Sequence, residues 1–257
     1  ETAIVAITGV SGGGASENGT QTTTITITEN ESAPTVTLAS SASSIAENAG
    51  SSLTLTATLS VATTADVTVS ITPSGTATEG TDYGTISDIT ISAGDTTGTT
   101  SFTPTDDSTY EGDETAIVAI TGVSGGSATE SGTQTTTITI TENESAPTVT
   151  LASSASSIAE NAGSSLTLTA TLSGATDEAV TVSITPTGTG TEGTDYGTIS
   201  DITISAGSTT GTASFTPTDD TTYEGDETAI VAITGVSGGS ASESGTQAVT
   251  LTITENE

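Results

Sequence analysis

Apolar and polar residues alternate along short stretches of this chain. In SSLTLTATLS, Leu166, Leu168, Ala170 and Leu172 fall on one face and threonines on the other. Similar runs lie at 148–151, 180–184, 202–204, 213–215 and 249–253. Residues 227–233 are apolar on both faces, which is typical of a central strand. The pattern predicts an all-β fold of seven strands, because β-branched residues favour strands over helices.

The sequence repeats with a period of 113 residues, since ETAIVAITGV occurs at Glu1, Glu114 and Glu227. Residues 32–144 and 145–257 form two full units that agree at 100 of 113 positions. A unit of this length exceeds a solenoid repeat and suits a seven-stranded antiparallel β-sandwich. Residues 1–31 match the end of a unit, so we interpret them as the last two strands of a preceding repeat. The chain is therefore expected to be a window on a longer tandem array.

The charge balance excludes several classes of function. The chain has 32 acidic residues and no Lys, Arg or His. Without cations it cannot neutralise the phosphates of nucleic acid, and an anionic membrane surface would repel it. The sequence contains no run of 18 apolar residues, so no transmembrane helix is predicted. Without His, Cys or Lys, the usual nucleophilic catalysis and zinc ligation are excluded, so we expect no enzyme.

The carboxylates are unevenly placed along each unit. In an antiparallel sandwich successive turns alternate between the two ends. The turns after the first, third and fifth strands, and the end of the seventh, should therefore share one end, and they carry about ten carboxylates. The opposite end should carry only Asp177, Glu178 and Glu243 in the second unit. So many anions cannot all stay ionised and unpaired. Several hard oxygen ligands on flexible turns suit Ca²⁺, and a solvated acidic end without an ion is the alternative.

These residues carry a family resemblance. The run ENAG…GTDYG…TDD-TYEGDETAIV…ITENE resembles the Calx-beta domain over the whole unit, twice. The resemblance implies a seven-stranded sandwich with calcium at its C-terminal end. It also implies the ligand positions: Glu47, Asp82, Asp106, Asp107, Glu111, Asp113, Glu114, Glu142 and Glu144 in the first unit, and Glu160, Asp195, Asp219, Asp220, Glu224, Asp226, Glu227, Glu255 and Glu257 in the second. Each unit ends Glu-Asn-Glu, one charge fewer than the family's terminal acidic run.

The expected function is structural. We expect a segment of a long extracellular or bacterial surface protein, a fibre, stalk or adhesin shaft, that calcium stiffens at the junctions between repeats. Its partners would be calcium ions and neighbouring repeats, and lateral association into filaments is left open. The alternative is a secreted adhesin module that binds a glycan or protein through exposed loops. The near-identity of the two units favours the structural interpretation, because a module that recognises a specific ligand needs only one distinctive surface.

Overall fold

The computed structural model describes residues 1–256, and these fold into strands joined by turns and loops, with no helix. Accordingly, this range contains no helix long and apolar enough to cross a membrane. An N-terminal hairpin, formed by β1 (Thr2–Ala6) and β2 (Thr22–Thr26), is a separate two-stranded sheet. Two β-sandwiches follow it, with strands at 35–141 and at 148–254. We call them the first repeat and the second repeat, after the predicted units at residues 32–144 and 145–257.

The first repeat is built from two sheets. Its strands are β3 (Thr35–Ser40), β4 (Ser44–Ala46), β5 (Leu53–Leu59), β6 (Val67–Gly75), β7 (Ile89–Ile91), β8 (Thr97–Phe102), β9 (Thr109–Tyr110), β10 (Glu114–Ser124), β11 (Thr129–Glu130) and β12 (Thr135–Thr141). One sheet has the order β4-β12-β10-β6-β7, and the other has the order β11-β3-β5-β8. Strand β10 begins with the sequence that was predicted to be central at residues 227–233, and it lies at the centre of its sheet.

The second repeat has the same topology. Its strands are β13 (Thr148–Ser153), β14 (Ser157–Ala159), β15 (Leu166–Leu172), β16 (Ala175–Thr176), β17 (Val180–Gly188), β18 (Ile202–Ile204), β19 (Thr210–Phe215), β20 (Glu227–Ser237), β21 (Ser242–Glu243) and β22 (Ala248–Thr254). The sheet orders are β14-β22-β20-β17-β18 and β19-β15-β13-β21. The all-β prediction and the tandem sandwich are therefore confirmed.

Each sandwich has its own core, made by the apolar face of every strand. In β5, Leu55, Ala57 and Leu59 are buried while the intervening threonines are half-buried or exposed. One ring pair anchors each core: Tyr83 stacks on Phe102 with ring centroids 4.8 Å apart. Burial of apolar surface drives such packing, and the aromatic pair adds to it. The core of the first repeat and that of the second share no residue.

The structure departs from simple antiparallel pairing at the first strand of each repeat. That strand is divided: β3 joins one sheet, and β4 crosses to pair in parallel with β12 in the other. Ile45 lies opposite Ile140, and the Glu47 N–H donates to the Thr141 carbonyl at 3.0 Å. Period-two alternation alone does not show this crossing. Its consequence is that the chain after β4 emerges beside the chain after β12.

A glycine brings a second acidic loop to the same end. Gly75 ends β6 with a φ of 121°, and a Cβ there would lie 2.1 Å from the Thr115 carbonyl oxygen of β10. Only glycine accepts this conformation and this close approach. The following loop then fastens to β10, where the Ala77 N–H donates to the same carbonyl at 3.0 Å. Asp82 is thereby held beside Glu114.

Candidate metal centre

Glu47, Glu142 and Glu144 form the first carboxylate group, which we call the terminal group. One oxygen from each lies within 4.8 Å of the others. Burial would raise the pKa of Glu142, but the N–H groups of Glu144, Glu111 and Gly112 donate to it and together lower its pKa to about 2. Burial raises the pKa of Glu47 to about 7. Glu142 is thus a fixed anion that works against ionisation of its neighbours.

Asp82, Glu111 and Glu114 form the second group, which we call the junction group. Their ligand oxygens also lie within 4.8 Å of one another. Asp82 comes from the loop after β6, Glu111 follows β9 and Glu114 begins β10. The pKa of Glu114 rises to about 7, first because of burial and then because of the charge of Asp82 and a hydrogen bond with it. Burial, followed by the charges of Asp82 and Asp107, raises the pKa of Glu111 to about 7.

The second repeat builds the matching arrangement. Asp195, Glu224 and Glu227 form the second-repeat group, with ligand oxygens within 4.8 Å. Burial and a hydrogen bond to Asp195 raise the pKa of Glu227 to about 7. A small pocket is lined by this group together with Glu160 and Glu255. Glu257, predicted as a ligand, lies outside the described residues.

The aspartates of the loop before β10 shape the site without joining these groups. The Asp107 N–H donates to Glu47 at 3.1 Å, and the Asp107 carboxylate accepts from the Thr109 N–H at 2.6 Å. The Asp113 carboxylate accepts from the Glu142 N–H at 3.0 Å. Asp106 precedes Asp107 in this loop. None of the three belongs to a carboxylate group found within residues 1–256.

The same contacts recur in the second repeat, with Asp219 standing in the place of Asp106. Asp220 donates its N–H to Glu160 at 3.1 Å, and Asp226 accepts from the Glu255 N–H at 3.1 Å. The Glu224 N–H donates to Glu255 at 2.7 Å. These loop aspartates therefore orient the glutamates in both copies, and each remains a predicted ligand position.

Asp177 is a carboxylate that sequence reasoning placed away from the acidic end. It belongs to the opposite end of the second repeat, as predicted, but that end faces the acidic end of the first repeat. Strand β16 pairs in parallel with β9 across the junction, and the Asp177 N–H points to the Tyr110 carbonyl at 3.4 Å. Burial and the charge of Glu178 are the leading causes that raise the pKa of Asp177, and the charge of Asp82 contributes. Asp177 is likewise among the charges that raise the pKa of Glu111 and Glu114.

The sequence does carry a signal for this contact. Of the 13 positions at which the repeats differ, four are Val61, Thr64, Ala65 and Asp66, where the second repeat has Gly174, Asp177, Glu178 and Ala179. The differences therefore concentrate in the loop that meets the preceding repeat.

The carboxylate groups fit a hard divalent cation. Calcium binds oxygen ligands at about 2.3–2.6 Å, so two ligands on opposite sides of one ion are about 5 Å apart. Oxygens within 4.8 Å of one another match that spacing. In the terminal group, one Glu144 oxygen is buried without a hydrogen-bond partner, and burying a polar atom in this way is costly. The residues present therefore suit Ca²⁺, with carboxylates as the ligands.

Both repeats match a known domain family. The family model of the Calx-beta domain matches residues 29–144 and 142–257. The solved CBD12 of CALX1.2 is 16% identical with a TM-score of 0.38, over 86% of this chain and 100% of that one. The apo-form Calx CBD1 domain is 18% identical with a TM-score of 0.36, over 42% of this chain and 98% of that one.

Another solved structure is invasin, described as a bacterial integrin-binding protein. It is 18% identical with a TM-score of 0.41, over 86% of this chain and 40% of that one. A search of curated proteins found no match. The two family-model matches together span both full repeats, and the chain belongs to the Calx-beta domain family.

Proposed function

We propose that this chain is a non-enzymatic segment of an extracellular or cell-surface repeat protein, and that calcium at the junctions between its repeats makes it a stiff shaft. The observation that carries the proposal is the meeting of the junction group with Asp177 of the next repeat. A shaft needs its repeats fixed relative to one another, and here the neighbouring sandwich covers part of the acidic end, so that Tyr110 and Glu111 are half-buried.

The contact between the repeats is short and made largely by the backbone. Ala175 pairs with Thr109, and Thr176 pairs with Tyr110. Thr176 is 1% exposed, and its hydroxyl donates to the Glu178 carbonyl at 2.7 Å, which fixes the loop that carries Asp177. A two-residue pairing has little stability of its own. The junction therefore depends on the charges around it.

Those charges are all negative. The junction group and Asp177 together place four carboxylates where the two repeats meet. The chain has no Lys, Arg or His side chain to pair with them. Protonation or a cation from solution must balance them, and at neutral pH a divalent cation is the stronger means. A cation bound to residues of both repeats would convert repulsion at the junction into a link across it.

The distribution of sequence differences also supports a shaft. The loop at residues 174–179, where the differences between the repeats concentrate, faces the junction. A recognition module would be expected to vary on surfaces that face solvent and a ligand. No specific observation favours the alternative of glycan or protein recognition through exposed loops.

The proposal is tested by thermal unfolding of the chain in calcium and in chelator, at one ionic strength. A ligand bound to the folded state adds about 2.7 kcal/mol at 100 times its Kd, which corresponds to a rise in Tm of about 10 °C for a domain of this size. The variant Glu114→Gln should lose part of that rise.

Asp95→Ser is the matched control for that variant. It also removes one charge, at an exposed position where the second repeat has Ser208, and it should keep the full rise. An unchanged Tm of the parent chain, with no calcium bound by calorimetry, would overturn the proposal.

A further inference from the structure

The N-terminal hairpin exposes an apolar face. Val5 is 54% exposed, Ile7 48%, Ile25 52% and Ile27 56%. These side chains alternate along β1 and β2 and the residues that follow them, so they lie on one face of the hairpin. Within residues 1–256, the sheet of β1 and β2 includes no third strand. This apolar face and both outer edges of the hairpin are therefore open, and such a two-stranded sheet is marginal alone.

The same hairpin occurs in the first repeat with its partners in place. Residues 1–31 and 114–144 are identical at 28 of 31 positions. The register is also the same: Thr2 pairs with Thr26 in the N-terminal hairpin, as Thr115 pairs with Thr139 in the first repeat. The positions that match the four exposed residues are buried, with Val118 at 0%, Ile120 at 7%, Ile138 at 0% and Ile140 at 4% exposed.

In the first repeat, neighbouring strands cover the matching hairpin of β10 and β12. On one side β6 pairs with β10 over most of its length, from Gly75 opposite Ala116 to Thr68 opposite Ser124. On the other side β4 pairs with β12. These strands, and the opposite sheet that packs on the apolar face, all come from residues 32–113, apart from β11. The first repeat therefore shows which segment packs on a hairpin of this sequence.

We propose that the exposed face of residues 1–31 is a docking surface for a repeat segment with the sequence of residues 32–113. The segment's β6 strand would pair with the free edge of β1, and its β4 strand with β2. Backbone pairing supplies affinity, and the alternating apolar positions supply specificity. Gly9 stands where Gly122 follows a register shift in β10, so the irregularity that β6 requires is kept. This proposal rests on packing alone and is independent of calcium.

The test is a chain in which residues 32–113 directly precede Glu1, compared with residues 1–257 alone. We expect the amide hydrogens of β1 and β2 to exchange at least about 100-fold more slowly in the extended chain, because they then open with a whole sandwich and not with an isolated hairpin. Equal exchange rates in the two chains would overturn the proposal.

Two variants of the extended chain test which face docks. Val5→Thr acts on the buried-face position that matches Val118, and it should return exchange to the fast rate. Ile4→Thr is the matched control on the opposite face, where Ile4 is 70% exposed and the second repeat's Ile230 stays 37% exposed; it should keep the slow rate. If the unextended chain instead shows slow exchange that depends on its concentration, a second copy of the chain covers the face and the proposal is wrong.

Discussion

The acidic ends of the two repeats have nearly the same sequence but different surroundings. Tyr110 of the first repeat is half-buried beside the second repeat, whereas the matching Tyr223 is 74% exposed. Burial leads the causes that raise the pKa of both Glu111 and the matching Glu224. The charge of Asp177 from the second repeat contributes to the rise of the Glu111 pKa to about 7, whereas the charges that act on Glu224 all come from its own repeat. A neighbouring repeat therefore changes the chemistry of an acidic end whose carboxylates are the same in both repeats.

The largest expected effect comes from removing one ligand from either group. Glu114→Gln should weaken calcium binding at the junction group by at least about tenfold, because a charged ligand is lost next to three remaining carboxylates. Glu227→Gln should weaken calcium binding at the second-repeat group and leave calcium binding at the junction group unchanged. Calorimetric titration of both variants checks this. If Glu227→Gln weakened calcium binding at the junction group as much as Glu114→Gln does, the difference between the two acidic ends would be contradicted.

The loss of stability with rising pH that is expected in chelator should be cancelled in calcium. Glu47, Glu114 and Glu227 have a folded pKa of about 7, above the ordinary value of 4.5. A raised folded pKa gives stability that is complete below pH 4.5 and is lost as pH rises through about 7. Glu142, with its pKa lowered to about 2, loses its contribution only below pH 4.5 and does not affect this window.

In chelator, Tm should therefore fall between pH 5 and pH 8. In calcium the loss should be cancelled, because the ion favours the ionised carboxylates. Calorimetric scans at matched ionic strength measure both curves. A Tm in chelator that is constant or rises over this interval would contradict the assignment of these pKa shifts to the folded state.

The loop differences at the junction allow a smaller and more selective test. Asp177→Thr gives the second repeat the residue that the first repeat has at Thr64. Loss of this charge should weaken calcium binding at the junction group by about fivefold and leave the second-repeat group as it was. Calcium titration separates the two sites, with Asp95→Ser as the control. Unchanged binding would show that Asp177 does not act on the ion.

The smallest expected effect concerns the two tyrosines. Tyr110→Ala should destabilise the chain by about 1 kcal/mol, because Tyr110 is half-buried beside a cavity that Ala175 of the second repeat also lines, whereas the exposed Tyr223 should tolerate Tyr223→Ala with a change of less than about 0.5 kcal/mol. Denaturant unfolding compares them. A similar cost for both would mean that the contact between the repeats adds little.

Most of the fold could be predicted from the sequence, because period-two alternation and the 113-residue period report burial and duplication directly. The crossing of β4 to the second sheet could not, since it depends on which strands meet in space. The alternation of turns predicted that the acidic turns share one end of the sandwich. The structure places Asp82 and Glu114 in the junction group and Glu47 in the separate terminal group, close enough for its charge to act on Glu111. The boundaries at residues 32 and 145 stay predictions.

The role of Asp177 lay beyond sequence reasoning for a different reason. The assignment of acidic turns to two ends was made within one sandwich, and it is correct there. The contact arises only because the second sandwich follows the first with its opposite end against the acidic end. Only the clustered differences at Thr64 and Asp177 pointed to it.

The central claim, that calcium stiffens the junction, is most directly tested by the spread of distances between the two repeats. The chain has no Cys, so the variant Ser87→Cys/Ser200→Cys carries only two spin labels, one on each repeat. Both positions are exposed, and they match each other in the two repeats. Pulsed electron paramagnetic resonance should give a narrow distance distribution in calcium and a broad one in chelator, and Glu114→Gln should stay broad in both. Sodium chloride at the same ionic strength should not narrow it, because screening is indifferent to ion identity. Equal widths in calcium and chelator, or equal narrowing by sodium chloride, would contradict the account.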